Sequence, residues 1–271
     1  MQLTSLNDIT TKYRHIFLSP HFDDVVYSCG GTLGVQLSSG LRPLVITIFG
    51  GVPPANTQLS PLATQIHQDM GVSPSQGVGA GIETRRKEDA AALDYLQVDY
   101  LWLDYLEAIY RGEPPYYTTK EQLIGGEVNS ADLVIDHQLA QDLVALQERL
   151  PDAAWYAPLG IGRHVDHQLV SSAADRLVQR GAKVYLYEEL PYVLKAGALE
   201  TRLQELGETL EPVLVEMSEM LPYRLEAADI YTSQIGPNFG DQATMHKVME
   251  TYTHNIRPIE TICLERYWTA G

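Results

Sequence analysis

His21, Asp23 and Asp24 lie within four residues of one another in HFDD, and His164, Asp166 and His167 lie as close together in HVDH, about 140 residues later. Imidazole nitrogens and carboxylate oxygens are the donors of catalytic zinc sites, which use three protein ligands and keep a position open for water. The two clusters offer two or three nitrogens, at least one oxygen and a spare carboxylate for moving a proton. An isolated histidine is more often structural, but two ordered clusters reverse that inference. The chemistry they suit is metal-assisted hydrolysis.

Each cluster follows an apolar run and precedes a helical pattern. HIFLSP (15–20) reads as a strand, and Val26, Cys29, Leu33 and Leu37 then recur at helical spacing, with Gly40 suited to the C-terminal cap. AAWYAPLG leads to the second cluster, and Val170, Ala173, Ala174, Leu177 and Val178 form the core face of a helix closed by Gly181. PLVITIFG, VDYLWLDY and KVYLYEEL supply three further strands, the first apolar enough to be buried on both faces. Thr84 is the expected cap of the helix ETRRKEDAAALDYLQ, and Ser130 that of a helix with Leu139, Leu143, Leu146 and Leu150 on one stripe.

This alternation predicts an α/β fold over a single domain, 1–271: a Rossmann-like, mainly parallel sheet flanked by helices on both faces. Both clusters then sit on the carboxyl edge, where such sheets place ligands. Residues 51–82 and 106–130, rich in Gly and Pro, read as long loops flanking the site. The later pattern is less regular, with a charged helix near 198–206, an apolar run at 209–217, helices near 222–235 and 241–253, and ETICLERYW as an edge strand.

Thirty-five acidic residues against nineteen basic give a net charge of −16, which repels phosphate backbones and anionic membranes, so nucleic acid is not an expected partner. No apolar run approaches the ~20 residues of a membrane span, and residues 1–15 lack the marks of a secretory signal, so a cytoplasmic protein without membrane insertion is expected. Cys29 and Cys263 fit no CxxC pattern. Gly30, Gly31 and Gly34 open a helix after a strand, but Ser28 stands where a dinucleotide fingerprint needs its first glycine; close packing of helix on strand explains them better.

The clusters resemble the signatures of the PIG-L/LmbE-type zinc-dependent N-deacetylases, roughly His-Pro-Asp-Asp-Glu before a Gly-Gly helix start, and His-Pro-Asp-His. Here they read His21-Phe22-Asp23-Asp24-Val25 and His164-Val165-Asp166-His167, with Phe22 and Val165 at the proline positions and Val25 at the glutamate. The resemblance covers most of the chain. It implies an LmbE-like fold, a zinc ion (iron(II) being compatible with such ligands) and removal of acetyl from an N-acetylated amino sugar or N-acetylglucosamine conjugate. The partner is then a small molecule, and a homo-oligomer stays open.

His21 and Asp24, three apart across a tight turn, can converge on one ion, and the family assigns the same pattern; with His167 they form the expected ligand set. Asp23 is the expected general base, the alternative being a helix N-cap. His164, as a protonated ring oriented by Asp166, would stabilise the oxyanion or protonate the leaving amine; direct ligation by His164 is the alternative. Arg85 matches an arginine the family uses on the substrate and Glu107 falls where relatives place a sugar-binding carboxylate, against an ordinary pairing of Arg85 or Arg86 with Glu88 or Asp89. Arg163 reads as solvated, and Tyr185, Tyr187 and Tyr192 as strand packing rather than sugar stacking. Two rival functions remain at this point: removal of a longer acyl chain, and a sugar-binding or regulatory protein without turnover.

Overall fold

The computed structural model describes residues 1–207, 209–258 and 262–270. Five parallel strands form the centre of one sheet: β1 (His15–Ser19), β2 (Pro43–Thr47), β3 (Asp99–Trp102), β4 (Ala154–Pro158) and β5 (Lys183–Tyr187). Antiparallel β6 (Leu210–Glu216) and β7 (Leu264–Ala270) extend it, in the order β3-β2-β1-β4-β5-β7-β6. Every residue of β2 is buried, as a strand covered on both faces requires.

Among the described residues ten helices surround the sheet: α1 (Asp24–Ser38), α2 (Pro61–Asp69), α3 (Ala80–Tyr95), α4 (Lys120–Leu123), α5 (Leu133–Arg149), α6 (Val165–Gln179), α7 (Ala198–Leu206), α8 (Leu221–Asp229), α9 (Thr232–Phe239) and α10 (Gln242–Asn255). The chain leaves β1 towards β2 but leaves β4 towards β5, in opposite directions along the sheet. Right-handed crossovers therefore place α1 and α6 on opposite faces. Consistent with that division, α8 packs on α1 while α5 packs on α6. The carboxyl ends of β1 and β4 flank the point where the strand order reverses, and a crevice opens there. Each polar cluster leaves from one of these two strands.

Several elements differ from expectation. The expected loop 51–82 contains α2, whose cap Ser60 accepts from the Ala63 N–H and whose first residue is Pro61. Helix α3 starts at Ala80, so Thr84 lies inside it rather than at its cap. Its inward face is hidden from a hydrophobic pattern because Arg85, Glu88 and Asp89 are buried with partners. In 106–130, α4 forms, and Asn129 rather than Ser130 accepts from the Ala131 N–H before α5. The pattern near 222–235 divides into α8 and α9.

Of the closing run ETICLERYW, Glu260 and Thr261 lie outside the described residues, and the part that forms β7 is not an edge: β7 is paired on both sides, and β6 forms that edge of the sheet. Tyr267 of β7 is buried, whereas exposed Glu211, Pro212 and Glu216 suit an unpaired flank. The glycines of α1 pack against β7 of the sheet, as close packing of helix on strand requires, and also against α8. Glu265 accepts from the N–H groups of Gly31 and Thr32, both at 2.8 Å, and Arg224 donates to the Tyr27 carbonyl at 3.1 Å through Nε. A Cβ at Gly30 would lie 2.9 Å from Arg224 Cγ, and one at Gly31 2.8 Å from Glu265 Oε1. Close approach of α8 and β7 requires these glycines. Cys29 is buried and Cys263 partly so, and neither forms a disulfide. Among the described residues no helix is long and apolar enough to cross a membrane.

Candidate active site

Ser19 ends β1 and organises the turn that follows. Its hydroxyl donates to the His21 carbonyl at 2.5 Å and accepts from the Val25 N–H at 3.2 Å, which caps α1. The His21 N–H donates to Asp24 Oδ2 at 2.7 Å, turning that carboxylate back beside its own imidazole. Asp23 occupies the cap position yet makes no capping bond. Its two oxygens instead accept from Arg85 Nη2 at 3.0 Å and Asn238 Nδ2 at 3.3 Å.

At the other junction His164 caps α6, its Nδ1 accepting from the Asp166 N–H at 3.1 Å. That bond leaves Nε2 as the protonated nitrogen, a donor on the wall of the cavity. Asp166, expected to orient or tune His164, makes no side-chain hydrogen bond to it: its Oδ2 lies 4.0 Å from His164 Nδ1. Its Oδ1 accepts from Arg111 at 2.6 Å, and its Oδ2 accepts from the Ala108 N–H at 3.0 Å and lies 3.0 Å from His21 Nε2. Asp166 thus orients His21.

Asp24 Oδ2 lies 3.4 Å from His21 Nδ1 and 3.3 Å from His167 Nε2. Donor atoms of these three residues all lie within 4.8 Å of one another. His167 Nε2 is buried without a hydrogen-bond partner among the described residues, while Nδ1 on the far side of the ring faces Glu189 Oε1 at 3.2 Å. A buried ring nitrogen left open, with a carboxylate holding its opposite side, is the arrangement of a metal-ligating histidine. His21, His164 and Asp166 form a second close group. The oxygens of Asp166 are already engaged, however, which makes it the poorer ligand. The residues present therefore fit a divalent cation on His21, Asp24 and His167.

The electrostatics agree with that donor set. Burial opposes charge on His21, but Asp166 and Asp24 raise its pKa to about 10. Burial likewise works against charge on His167, and Asp24 and Glu189 raise it to about 9. Asp24, despite burial, is held well below the usual carboxylate range by the His167 and His21 rings. The site is thus built to attract positive charge to two imidazoles, and a cation answers the same field. Burial raises the pKa of Asp23 against the opposing charge of Arg85. Burial and the neighbouring His21 ring hold His164 well below the ordinary histidine range, which favours the neutral ring over the imidazolium.

Arg85 and Glu107 both reach the site, but they meet each other, Arg85 Nη1 donating to Glu107 Oε1 at 2.5 Å. The alternative pairing within α3 does not form: Glu88 accepts from Thr232 and Ser233, Asp89 from Trp102 and Tyr231, and Arg86 donates to the Gly50 carbonyl. Arg163 pairs with Glu127 and Glu205. Tyr185 stacks on Tyr156 and Tyr187 donates to the Leu18 carbonyl, whereas Tyr192 lines the cavity against His167.

The cavity, about 140 Å³, is also walled by Ile66 of α2 and by Leu123 and Ile124, so both long connections contribute to it. Three residues escaped sequence reasoning. Glu189 follows β5 by two positions on the carboxyl edge, a signal that was available. Arg111 lies in an irregular segment and Asn238 on α9, with no local pattern to mark either.

Comparison with known proteins places these features in a family. Residues 16–178 match PIG-L, the GlcNAc-PI de-N-acetylase family. The 2'-N-acetylparomamine deacetylase of Niallia circulans is 30% identical over 86% of this chain and 84% of its own length. That of Streptomyces fradiae is 26% identical over 98% of this chain and 85% of its own length. The zinc-inhibited form of teicoplanin deacetylase Orf2 superposes with a TM-score of 0.77 at 25% identity, over 94% of this chain and 97% of that one. The chain belongs to the PIG-L family of de-N-acetylases.

Proposed function

We propose that this chain is a metal-dependent hydrolase that removes the acetyl group from the N-acetylated amino sugar of a small-molecule conjugate, as one deacetylase domain spanning 1–271 in the cytoplasm. The observation that carries the reading is the open, buried Nε2 of His167 facing Asp24 and His21, with the uncapped Asp23 beside them. His21, Asp24 and His167 are the residues that would hold zinc, or iron(II), and Glu189 and Asp166 fix the two rings from behind. A divalent cation there supplies Lewis-acid polarisation of the amide carbonyl and acidifies a water.

Asp23 takes a proton from the attacking water, and burial strengthens it as a base. His164 donates through Nε2–H to the carbonyl oxygen as negative charge develops. The proton on Asp23 then passes to the leaving nitrogen, releasing acetate and a free amine. Arg85 holds Asp23 while Glu107 and Asn238 present polar groups to the sugar.

The test is a screen for acetate release, with zinc and iron(II) supplied separately and elemental analysis on the same preparation. N-acetylglucosamine conjugates should exceed N-acetylated amino acids and longer N-acyl glucosamines. Metal bound without release from any of them would favour a sugar-binding protein.

A further inference from the structure

One wall of the catalytic cavity comes from α9, which lies beyond the residues 16–178 that match the family. Gln234 and Asn238, one turn apart on that helix, line the cavity, and Asn238 Nδ2 is the donor on Asp23 Oδ2 at 3.3 Å. With Arg85 on Oδ1 at 3.0 Å, the two oxygens of Asp23 are held from two different elements. Yet α9 has only 8 residues, with Pro237 inside, and Tyr231 at its cap position makes no capping bond with its side chain. A helix of that length does not hold itself in water, so its place must come from tertiary contacts.

A carboxylate of α3 holds its first turn. Glu88 Oε1 accepts from the Ser233 N–H and the Thr232 hydroxyl, both at 2.8 Å, and Oε2 accepts from the Ser233 hydroxyl at 2.6 Å. The cap is thus supplied by another helix, with negative charge at the end of α9 where the backbone dipoles favour it. The Ser233 hydroxyl accepts in turn from Gln234 Nε2 at 2.9 Å, and Asp89 fixes the hydroxyl of the preceding Tyr231 at 2.7 Å. Glu88 is buried and forms no ion pair among the described residues, so the donors of Thr232 and Ser233 take the place of water. It follows Arg85 by three positions, which puts both on one face of α3: Arg85 reaches Asp23 directly, and Glu88 reaches it through α9.

Resting on the deacetylase reading, we propose that Glu88 is a positioning residue for the reaction: it seats α9, and α9 holds the second oxygen of the base Asp23 through Asn238. Without that seat Asp23 keeps its burial and Arg85 but turns more freely about its own side chain, and fewer of its orientations aim an oxygen at the attacking water. Substitution of Glu88 therefore acts on the same step as loss of Asn238.

The experiment uses full-length, metal-loaded protein and the substrate that the acetate-release screen returns. Asn238→Ala and Glu88→Ala should each lower kcat by about tenfold, as expected of one hydrogen bond to a charged group, with metal content unchanged. The double variant should lose no more than about twofold beyond either single one, because the same path is broken twice. Glu88→Gln keeps an acceptor for the Ser233 N–H and should return kcat to within about threefold of wild type. Losses that multiply in the double variant, or a Glu88→Ala enzyme with lowered Tm and wild-type kcat, would reduce Glu88 to a structural cap and overturn the proposal. Should Glu88→Ala fail to fold, Thr232→Val with Ser233→Ala removes both hydroxyl donors from the α9 side and must reproduce the pattern. If no N-acetylated sugar is deacetylated, the deacetylase reading fails separately, and amide hydrogen exchange across α9 decides the seat. Exchange about tenfold faster than wild type in Glu88→Ala, or in the hydroxyl-free pair, supports it, and equal exchange overturns it.

Discussion

The β1–α1 and β4–α6 junctions share one topology and use the residue at the helix cap in opposite ways. Asp23 stands at the cap of α1 but leaves the capping to Ser19, so both its oxygens stay on the cavity side, held by Arg85 and Asn238. His164 stands at the cap of α6 and does cap it, so one ring nitrogen is committed to the backbone and the other becomes a fixed donor. A capping residue gives up a lone pair. A residue excused from capping keeps its basicity, and in the proposed mechanism that difference separates a proton acceptor from a hydrogen-bond donor at two otherwise similar junctions.

Breaking the comparison at Asp23 should have the largest effect. Asp23→Asn removes the basicity and keeps the size, so kcat should fall ~10² to 10⁴ with metal content and Tm unchanged. A folded, metal-loaded variant within about threefold of wild type would take Asp23 out of the mechanism. At the other junction two variants separate cap from donor. His164→Ala should lose ~10² to 10³ in kcat and about 1 kcal/mol of stability. His164→Asn should recover the stability and not the rate; recovery of both would reduce His164 to a cap.

Smaller effects sharpen the same contrast. Glu189→Gln weakens the orientation of His167, and metal affinity measured by chelator competition should fall ~10- to 100-fold. An unchanged affinity would mean that packing alone fixes that ring. Ser19→Ala removes the substitute cap of α1 and should cost about 1 kcal/mol in denaturant unfolding, with a loss of rate well below that of Asp23→Asn. Stability equal to wild type would show that α1 needs no side-chain cap at its N-terminus.

The amino-acid sequence by itself determined the two clusters, the strands that deliver them and the parallel sheet, because each is a short-range pattern with its own period or cap. HFDD and HVDH were legible for the same reason, and so was the convergence of His21 with Asp24, three residues apart. Arg85 and Glu107 were legible only through resemblance, and their contact with each other was not visible. Arg111 and Asn238, the contact of Glu189 with His167 and the place of β7 inside the sheet were decided by tertiary structure alone. Each depends on distances between segments far apart in the chain, and those follow from the strand order and crossover directions, which no local pattern contains.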